Sequence, residues 1–184
     1  MFNVKKIALG LCICLLAATT AFASPEAPTD AEVKTAYTNA VKVYNWFDHN
    51  TLPTDGLRKK EVGYMIYYSV NYPGIKTMGQ LRQAMNDVFT PELTSMIMSM
   101  SRAYKEFDNM LYVAPASRGK NVFAGNTSFT IVRQEPDKIN LQAKTEVYDS
   151  ANPFNRKVVD YKIKDFLYTK TVNGWRFATF SSID

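Results

Sequence analysis

Apolar residues recur every three or four positions in the segment after residue 28, which is the spacing of one helix face. Thr29 and Glu32 precede this pattern with the spacing of a capping box, whose side chains accept hydrogen bonds from backbone amides at a helix start. Asn50 and Pro53 favour an end to the helix. The pattern therefore predicts a first helix between these two signals.

Signals of the same kind predict two further helices. Thr77 and Gln80 repeat the capping-box spacing, with glutamine in the reciprocal role. Thr90 then caps a third helix, which has Pro91 at its first position, where a missing N–H costs nothing. The apolar stripe of this third helix continues at helical spacing as far as Phe107.

Residues 54–73, between the first two helices, have the pattern of an extended chain. Larger apolar side chains occur there at every second position, namely Val62, Tyr64, Ile66, Tyr68 and Val70. Turn-forming residues lie on both sides of the segment. Because the alternation is that of a strand, we expect this segment to be extended.

From Met110 onward the hydrophobic period is two. Residues 111–113 and 129–132 predict short strands, and the segment between them, 114–121, is a loop of small residues and helix breakers. Residues 139–147 alternate strictly between apolar and polar side chains. This alternation predicts a strand with one face in water.

The end of the chain predicts a β-hairpin. Asn173-Gly174 is the dipeptide that best tolerates the positive φ angles of a type I′ turn. A two-residue loop at this dipeptide would place Val172 opposite Trp175 and Lys170 opposite Phe177. The hairpin would then gather Val172 and the aromatic residues on one face toward the core.

We also expect a one-residue bulge near Lys164-Asp165, because only a bulge would turn Tyr161 and Ile163 toward the core together with Phe166. A bent antiparallel sheet of this kind wraps around helices. The order of elements therefore predicts an α+β protein in which N-terminal helices pack on a curved antiparallel β-sheet. The closing Asn173-Gly174-Trp175 resembles that of cystatin-like and NTF2-like folds, and this resemblance implies a cone-shaped sheet. We expect residues 29–184 to form a single domain.

Residues 1–23 have the features of a secretory signal peptide: a lysine-containing start, an apolar stretch and the small-residue site Ala21-Phe22-Ala23. An uncleaved anchor is the alternative, but the apolar stretch of about 16 residues is shorter than the roughly 20 that a spanning helix needs. We expect cleavage, a linker over residues 24–28, and a protein that is secreted or held in the cell envelope. Both cysteines, Cys12 and Cys14, lie in the signal peptide, so the exported chain has no disulfide and no thiolate.

Charge and side-chain inventory exclude several classes of function. The net charge of +5 is modest and the basic residues are scattered, so we expect neither nucleic-acid binding nor, after cleavage, membrane binding. With one histidine, His49, and dispersed carboxylates, we expect no metal, no cofactor and no catalytic residue. At the end of the first helix, cationic His49 would suit the helix dipole, and a catalytic role is the alternative.

Several short motifs follow one another in a characteristic order. They are the Tyr72–Ile75 turn before the Thr77-capped helix, the Val88–Glu92 helix junction, Leu111-Tyr112-Val113 followed by Arg118-Gly119, and the closing Asn173-Gly174-Trp175. Together with an aromatic-rich first helix, this order resembles the secreted bacterial inhibitors of cell-wall DL-endopeptidases, the IseA (YoeB-like) family. The resemblance implies a non-catalytic protein that binds the catalytic cleft of cysteine-type peptidoglycan hydrolases and restrains autolysis. The alternative is a small-ligand-binding protein or enzyme that uses the concave face of an NTF2-like cone.

Two surfaces are candidates for contact with such a hydrolase, which we expect to bind a monomer of this chain. One is loop 114–121, where Gly119 would let the backbone approach a partner closely; the alternative is an ordinary connection with solvated charges. The other is a group of tyrosines that give large contact areas, for which packing at a sheet edge is the alternative. The predicted contact residues are Tyr67, Tyr72, Tyr112, Arg118, Gly119 and Lys120.

Overall fold

The computed structural model describes residues 27–151, 154 and 156–183. The predicted signal peptide, residues 1–23, lies outside the described residues, as does most of the expected linker over residues 24–28. In chain order the elements are α1 (Asp30–Asp48), β1 (Thr54–Val62), β2 (Met65–Val70), α2 (Met78–Asn86), α3 (Pro91–Met100), β3 (Tyr104–Phe107), β4 (Met110–Val113), β5 (Ala124–Glu135), β6 (Lys138–Tyr148), β7 (Val158–Thr171) and β8 (Gly174–Phe177).

The strands form two antiparallel sheets. Sheet 1 has the order β1-β2-β4-β3 and sheet 2 has the order β5-β6-β7-β8. The predicted α+β class is therefore confirmed, with two sheets where the sequence indicated one. The chain between α1 and α2 supplies two strands, which pair with the strands after α3 instead of joining the C-terminal meander. No helix in residues 27–183 that the structure describes is long and apolar enough to span a membrane.

All three predicted helix starts are confirmed. The backbone N–H of Thr29 donates to the Glu32 carboxylate (2.7 Å), and Thr29 Oγ1 accepts from the Glu32 N–H (3.3 Å). Thr77 and Gln80 form the same reciprocal pair at the start of α2. Thr90 caps α3, whose first residue is proline.

Helix α3 ends earlier than its apolar spacing predicts. Residues Tyr104–Phe107, which continue the predicted stripe, instead form β3 and pair with β4. Asp108 and Asn109 make the turn between these strands with φ angles of 50° and 58°, which Asp and Asn adopt more readily than most residues. Helical spacing over a few apolar residues does not by itself distinguish a helix from a strand.

Residues 54–73 are extended, as predicted, and this segment is divided into the two strands β1 and β2. The chain reverses at Gly63, which has a φ of +60°, and at Tyr64, which is fully exposed. Because of this reversal, the predicted alternation does not mark a buried face. Tyr67 and Ser69, of the opposite parity, are the buried residues of β2 together with Val70.

The predicted alternation in β6 is confirmed, and the C-terminal hairpin is present with a different register. Lys170 lies opposite Trp175, so Val172 and Asn173 form the loop instead of Asn173 and Gly174. Val172 is fully exposed and is not part of the core. The pairing is displaced by an even number of residues, so the other predicted inward-facing residues are unchanged: Phe166, Tyr168 and Phe177 are buried.

The predicted bulge near Lys164-Asp165 is absent, because both residues pair regularly with β6. Tyr161 and Ile163 consequently remain on the outer face, with 48% and 53% of their surface exposed. The ammonium of Lys144 lies 4.0 Å from the centre of the Tyr161 ring, and this contact stabilises the aromatic side chain at the surface.

Two hydrophobic clusters build the core. The first lies between α1 and sheet 2 and includes Tyr37, Phe166 and Phe180. The second packs sheet 1 against α2. Trp46 and Phe47 contact both clusters, so the C-terminal half of α1 joins the two parts of the fold.

Candidate functional site

Loop 114–121 is held against the chain that follows α1. The N–H of Arg118 donates to the carbonyl of His49 (2.7 Å), and the N–H of Thr51 donates to the carbonyl of Ala116 (3.2 Å). Asn50 and Ser117 form a β-bridge, and the Ser117 hydroxyl also donates to the Asn50 side chain at 2.8 Å. We call residues 114–121 the anchored loop, because these bonds fix its backbone.

An ion pair strengthens this attachment. The Arg118 guanidinium donates to the carboxylate of Asp48 at 2.8 Å, and Asp48 is the last residue of α1. His49, the C-cap of α1, is buried, with Nδ1 at 3.3 Å from the Arg118 carbonyl and Nε2 at 3.5 Å from the Asp48 carboxylate. His49 therefore lies at the helix end, as the sequence predicted, and contacts the Asp48 carboxylate and the backbone carbonyl of Arg118.

Gly119 and Lys120 lie in the exposed part of the anchored loop, which comprises residues 115–121. A Cβ built on Gly119 would meet no atom within 4 Å. Lys120 forms no ion pair with any residue that the structure describes. These two residues are therefore available for contact with a partner, whereas the Arg118 side chain is already occupied by Asp48.

The predicted tyrosines do not form one surface. Tyr67 and Tyr112 are 1% and 4% exposed and pack in a small cluster on sheet 1 with Ala114. The Tyr67 hydroxyl donates to the carbonyl of Arg102 at 3.1 Å. Tyr72 is half-buried elsewhere, with its ring 5.4 Å from that of Trp46. Tyr67 and Tyr112 therefore lie beneath the surface, where they support the start of the anchored loop. They do not offer an exposed area for contact with a partner.

A cleft of about 400 Å³ opens on one side of the anchored loop. Its walls come from α1, from the inner face of β5 and β6, and from the C-terminal segment after β8. Buried and half-buried aromatic and hydroxyl side chains form the inner part, and exposed loop residues form the rim. The residues that define it best are Tyr37, Tyr44, Thr127, Phe129, Thr145 and Phe180 inside, with Lys120 and Asn121 at the rim.

A second groove, of about 490 Å³, lies near the base of the same loop. Met65, Met100 and Pro115 contribute apolar surface to it, and Met100 is 72% exposed. Tyr44 borders both this groove and the cleft. The anchored loop therefore contributes residues to two concave surfaces.

Electrostatic conditions at this end of α1 keep Tyr44 protonated. Burial, and secondarily the Asp48 carboxylate, raises the pKa of the Tyr44 hydroxyl, while a backbone hydrogen bond with Ser182 and the Arg118 charge oppose the increase. At neutral pH the hydroxyl is therefore a neutral hydrogen-bonding group. It can orient a bound molecule but carries no charge to attract one.

Sequence reasoning missed three contributors to this region: Asp48, Tyr44 and the C-terminal segment around Phe180. Among the described residues, no group of three or more His, Cys, Asp or Glu side chains could hold a metal ion. Comparisons with protein-family models and with curated proteins gave no match for this chain.

Proposed function

We propose that this protein is a secreted, non-catalytic inhibitor of cysteine-type peptidoglycan DL-endopeptidases, and that the anchored loop is its contact segment. The observation that carries the proposal is the setting of Gly119. Its surroundings are open, so no crowding within the fold requires a glycine there. Close approach of a partner to the backbone is a physical reason for a glycine at an exposed loop position.

The attachment of the loop supports the same proposal. Its backbone is fixed by hydrogen bonds to residues 49–51 before any partner arrives. A contact segment that is already ordered loses less conformational entropy on binding than a mobile one. Lys120 adds a cation beside Gly119, which would favour an acidic or carbonyl-rich rim on the hydrolase.

The test is inhibition of peptidoglycan hydrolysis. The purified chain from Ser24 should slow the cysteine-type DL-endopeptidases of its own organism at near-stoichiometric amounts. Gly119→Phe should abolish the inhibition, because the new ring holds the loop away from the hydrolase, and Lys120→Ala should weaken it. Lys34→Phe and Lys34→Ala are the matched controls, since Lys34 is exposed on the first turns of α1 and lies far along the helix from the loop.

Two results would contradict the proposal. If wild-type protein slows none of these enzymes, the function is wrong. If the wild type inhibits and Gly119→Phe inhibits equally well while remaining folded by circular dichroism, the assignment of the anchored loop is wrong and another surface makes the contact.

Small-ligand binding is a second candidate function, and the cleft beside the loop is the observation that favours it. A volume of about 400 Å³ lies in the range of small-molecule sites, and the cleft reaches buried His49. The apolar part of its surface is larger than the polar part, and hydroxyl groups are placed within it. Binding measured in the absence of any hydrolase distinguishes this function from inhibition.

A further inference from the structure

Strand β5 forms one edge of sheet 2. It has β6 as its only neighbour in the sheet, and no isolated bridge joins it to another described segment. The strand is 12 residues long, and residues 124–132 contain neither a charged residue nor a proline. Exposed edges of this kind pair readily with another chain unless something covers them.

The other three edge strands are protected. β3 and β8 have only 4 residues each. β1 carries several charged residues, and its pairing with β2 is interrupted by an irregularity between Thr54 and Lys59. β5 also has irregular pairing, between Ala124 and Thr127 and between Arg133 and Glu135. Between these two points residues 127–133 pair regularly with β6, and residues 127–132 carry no charge, so neither charge nor irregularity blocks a further strand along this stretch.

The cleft is lined in part by this strand. Four β5 residues line it, namely Ala124, Gly125, Thr127 and Phe129, and Tyr37 of α1 faces them with its ring 4.9 Å from that of Phe129. A strand added to β5 would therefore have a hydrogen-bonding edge on one side and an apolar cavity for alternate side chains.

The inside of the cleft offers a hydrogen-bond donor. The hydroxyls of Thr127 and Thr145 lie 2.8 Å apart, so one of them donates to the other and one hydroxyl hydrogen of the pair is left over. Thr145 is 3% exposed. Both threonines line the cleft, Thr145 buried and Thr127 half-buried, so the carbonyl of a peptide in the cleft is a suitable acceptor for this hydrogen.

The rim near the start of β5 offers further donors. Lys120 carries an exposed ammonium there. The carbonyl oxygen of the Asn121 side chain accepts from the Phe123 N–H at 3.0 Å, which leaves the amide NH₂ free to donate. A cation and an amide donor together suit a carboxylate.

From these features we propose that the cleft binds a short apolar peptide in an extended conformation, antiparallel to β5, with its free C-terminal carboxylate at Lys120 and Asn121. The direction follows from the position of the two donors beside the N-terminal end of β5. A second copy of β5 fits less well, because it offers no free carboxylate to Lys120 and Asn121: its one acidic side chain, Glu135, is already paired with Lys138 at 2.9 Å. This inference rests on the second candidate function, small-ligand binding, and does not depend on inhibition of a hydrolase.

The experiment measures binding of a pool of acetylated tripeptides that carry Ala, Val, Leu or Phe at each position, by calorimetry with the purified protein. Peptides with a free carboxylate should bind about ten-fold more tightly than the same peptides with a C-terminal amide, the ratio expected for a charge-assisted hydrogen bond. Lys120→Gln should reduce this difference and leave the affinity of the amides unchanged. Val41→Trp should fill the cleft and abolish binding. Lys42→Trp also introduces a tryptophan, but at an exposed neighbouring position, and should not abolish binding.

Backbone pairing is tested separately with the tightest peptide of the pool. Alternate amides of a guest strand point toward its neighbour, so N-methylation in one register should abolish binding and N-methylation in the other should not. Failure of the pool to bind, equal binding of carboxylate and amide forms, or equal effects of both methylation registers would overturn the proposal. So would a stable dimer in which the β5 amides are protected from hydrogen exchange. No hydrolase is present in these assays, so their failure would leave the proposed inhibition standing.

Discussion

Arg118 of the anchored loop donates a 2.8 Å hydrogen bond to Asp48 at the end of α1, although 70 residues separate them in sequence. The loop that carries the proposed contact residues is therefore attached to the helix that joins the two hydrophobic clusters. A variant that breaks this attachment, such as Arg118→Ala, therefore tests how the loop is held. Variants of Gly119 and Lys120 test contact with a partner.

Arg118→Ala should act mainly by loosening the loop and only secondarily by removing contact with a partner. The pair is partly exposed, with 49% of Arg118 and 24% of Asp48 accessible, so we expect a loss of only about 0.2–1 kcal/mol in the free energy of unfolding. Amide exchange at residues 116–119 should accelerate at the same time. Asp48→Asn should give the same two effects, and a double-mutant cycle that shows independent, additive losses would contradict the pairing.

Tyr104→Phe should destabilise the protein by about 1–3 kcal/mol, because the Tyr104 hydroxyl donates to the carbonyl of Trp46 (2.9 Å) and accepts from the N–H of Leu52 (2.8 Å). The change leaves both backbone groups without this partner. Chemical denaturation measures the loss. Tyr64→Phe, at a fully exposed turn position, is the control and should change stability little.

Tyr104 also predicts a loss of stability in alkali. Burial raises the pKa of Tyr104 well above its ordinary value, whereas in the unfolded chain tyrosine ionises near a pH of about 10. The stabilising contribution is therefore complete below the unfolded pKa and declines as the pH rises toward the folded pKa. Between the unfolded and folded pKa values of Tyr104, the free energy of unfolding of Tyr104→Phe should fall less steeply with pH than that of the wild type. The difference in slope should be the contribution of one ionising proton. An unchanged dependence would contradict this assignment.

Ser69→Ala should raise the pKa of Asp55 toward its usual value. Hydrogen bonds from the Ser69 hydroxyl (2.6 Å) and from the Leu57 N–H (3.0 Å) lower the pKa of the Asp55 carboxyl. A lowered folded pKa gives stability that is present above the unfolded pKa and is lost as the pH falls through the folded pKa. NMR titration of Asp55 should therefore show a higher midpoint in Ser69→Ala and no change in Ser99→Ala, a surface control on α3.

Thr77→Ala should destabilise the protein by about 0.5–2 kcal/mol through loss of the α2 cap. The Thr77 side chain accepts from the Gln80 N–H at 3.2 Å, and alanine leaves that amide without its partner. Thr35→Ala makes the same chemical change in the exposed middle of α1, where alanine is favourable. Thermal unfolding should show a lower midpoint for Thr77→Ala only, and equal midpoints for the two variants would refute the capping role.

The helix starts and the face of β6 could be read from the sequence because they depend on neighbours along the chain. A capping box such as Thr29 with Glu32 needs two residues three positions apart. Alternation along β6 likewise requires only that one face of the strand be buried. The existence of the last hairpin was also predictable, since few dipeptides other than Asn173-Gly174 signal a tight turn as strongly.

The site was less predictable. The sequence indicated the loop with Gly119 and Lys120, but it could not show that Arg118 would be held by Asp48, or that Tyr67 and Tyr112 would be buried, because these contacts join distant segments. The cleft was not specified either, since its walls come from α1, β5 and the C-terminal segment around Phe180.

By itself, then, the sequence determined where helices begin, which residues of β6 face inward and that the fold is α+β. The tertiary structure alone decided the division into two sheets, the displacement of the last turn to Val172-Asn173, and the exposed edge of β5. The physical reason is the range of the interactions: caps and alternation act over a few residues, whereas strand partners and hairpin register are selected by how completely the packed side chains of the whole chain are buried.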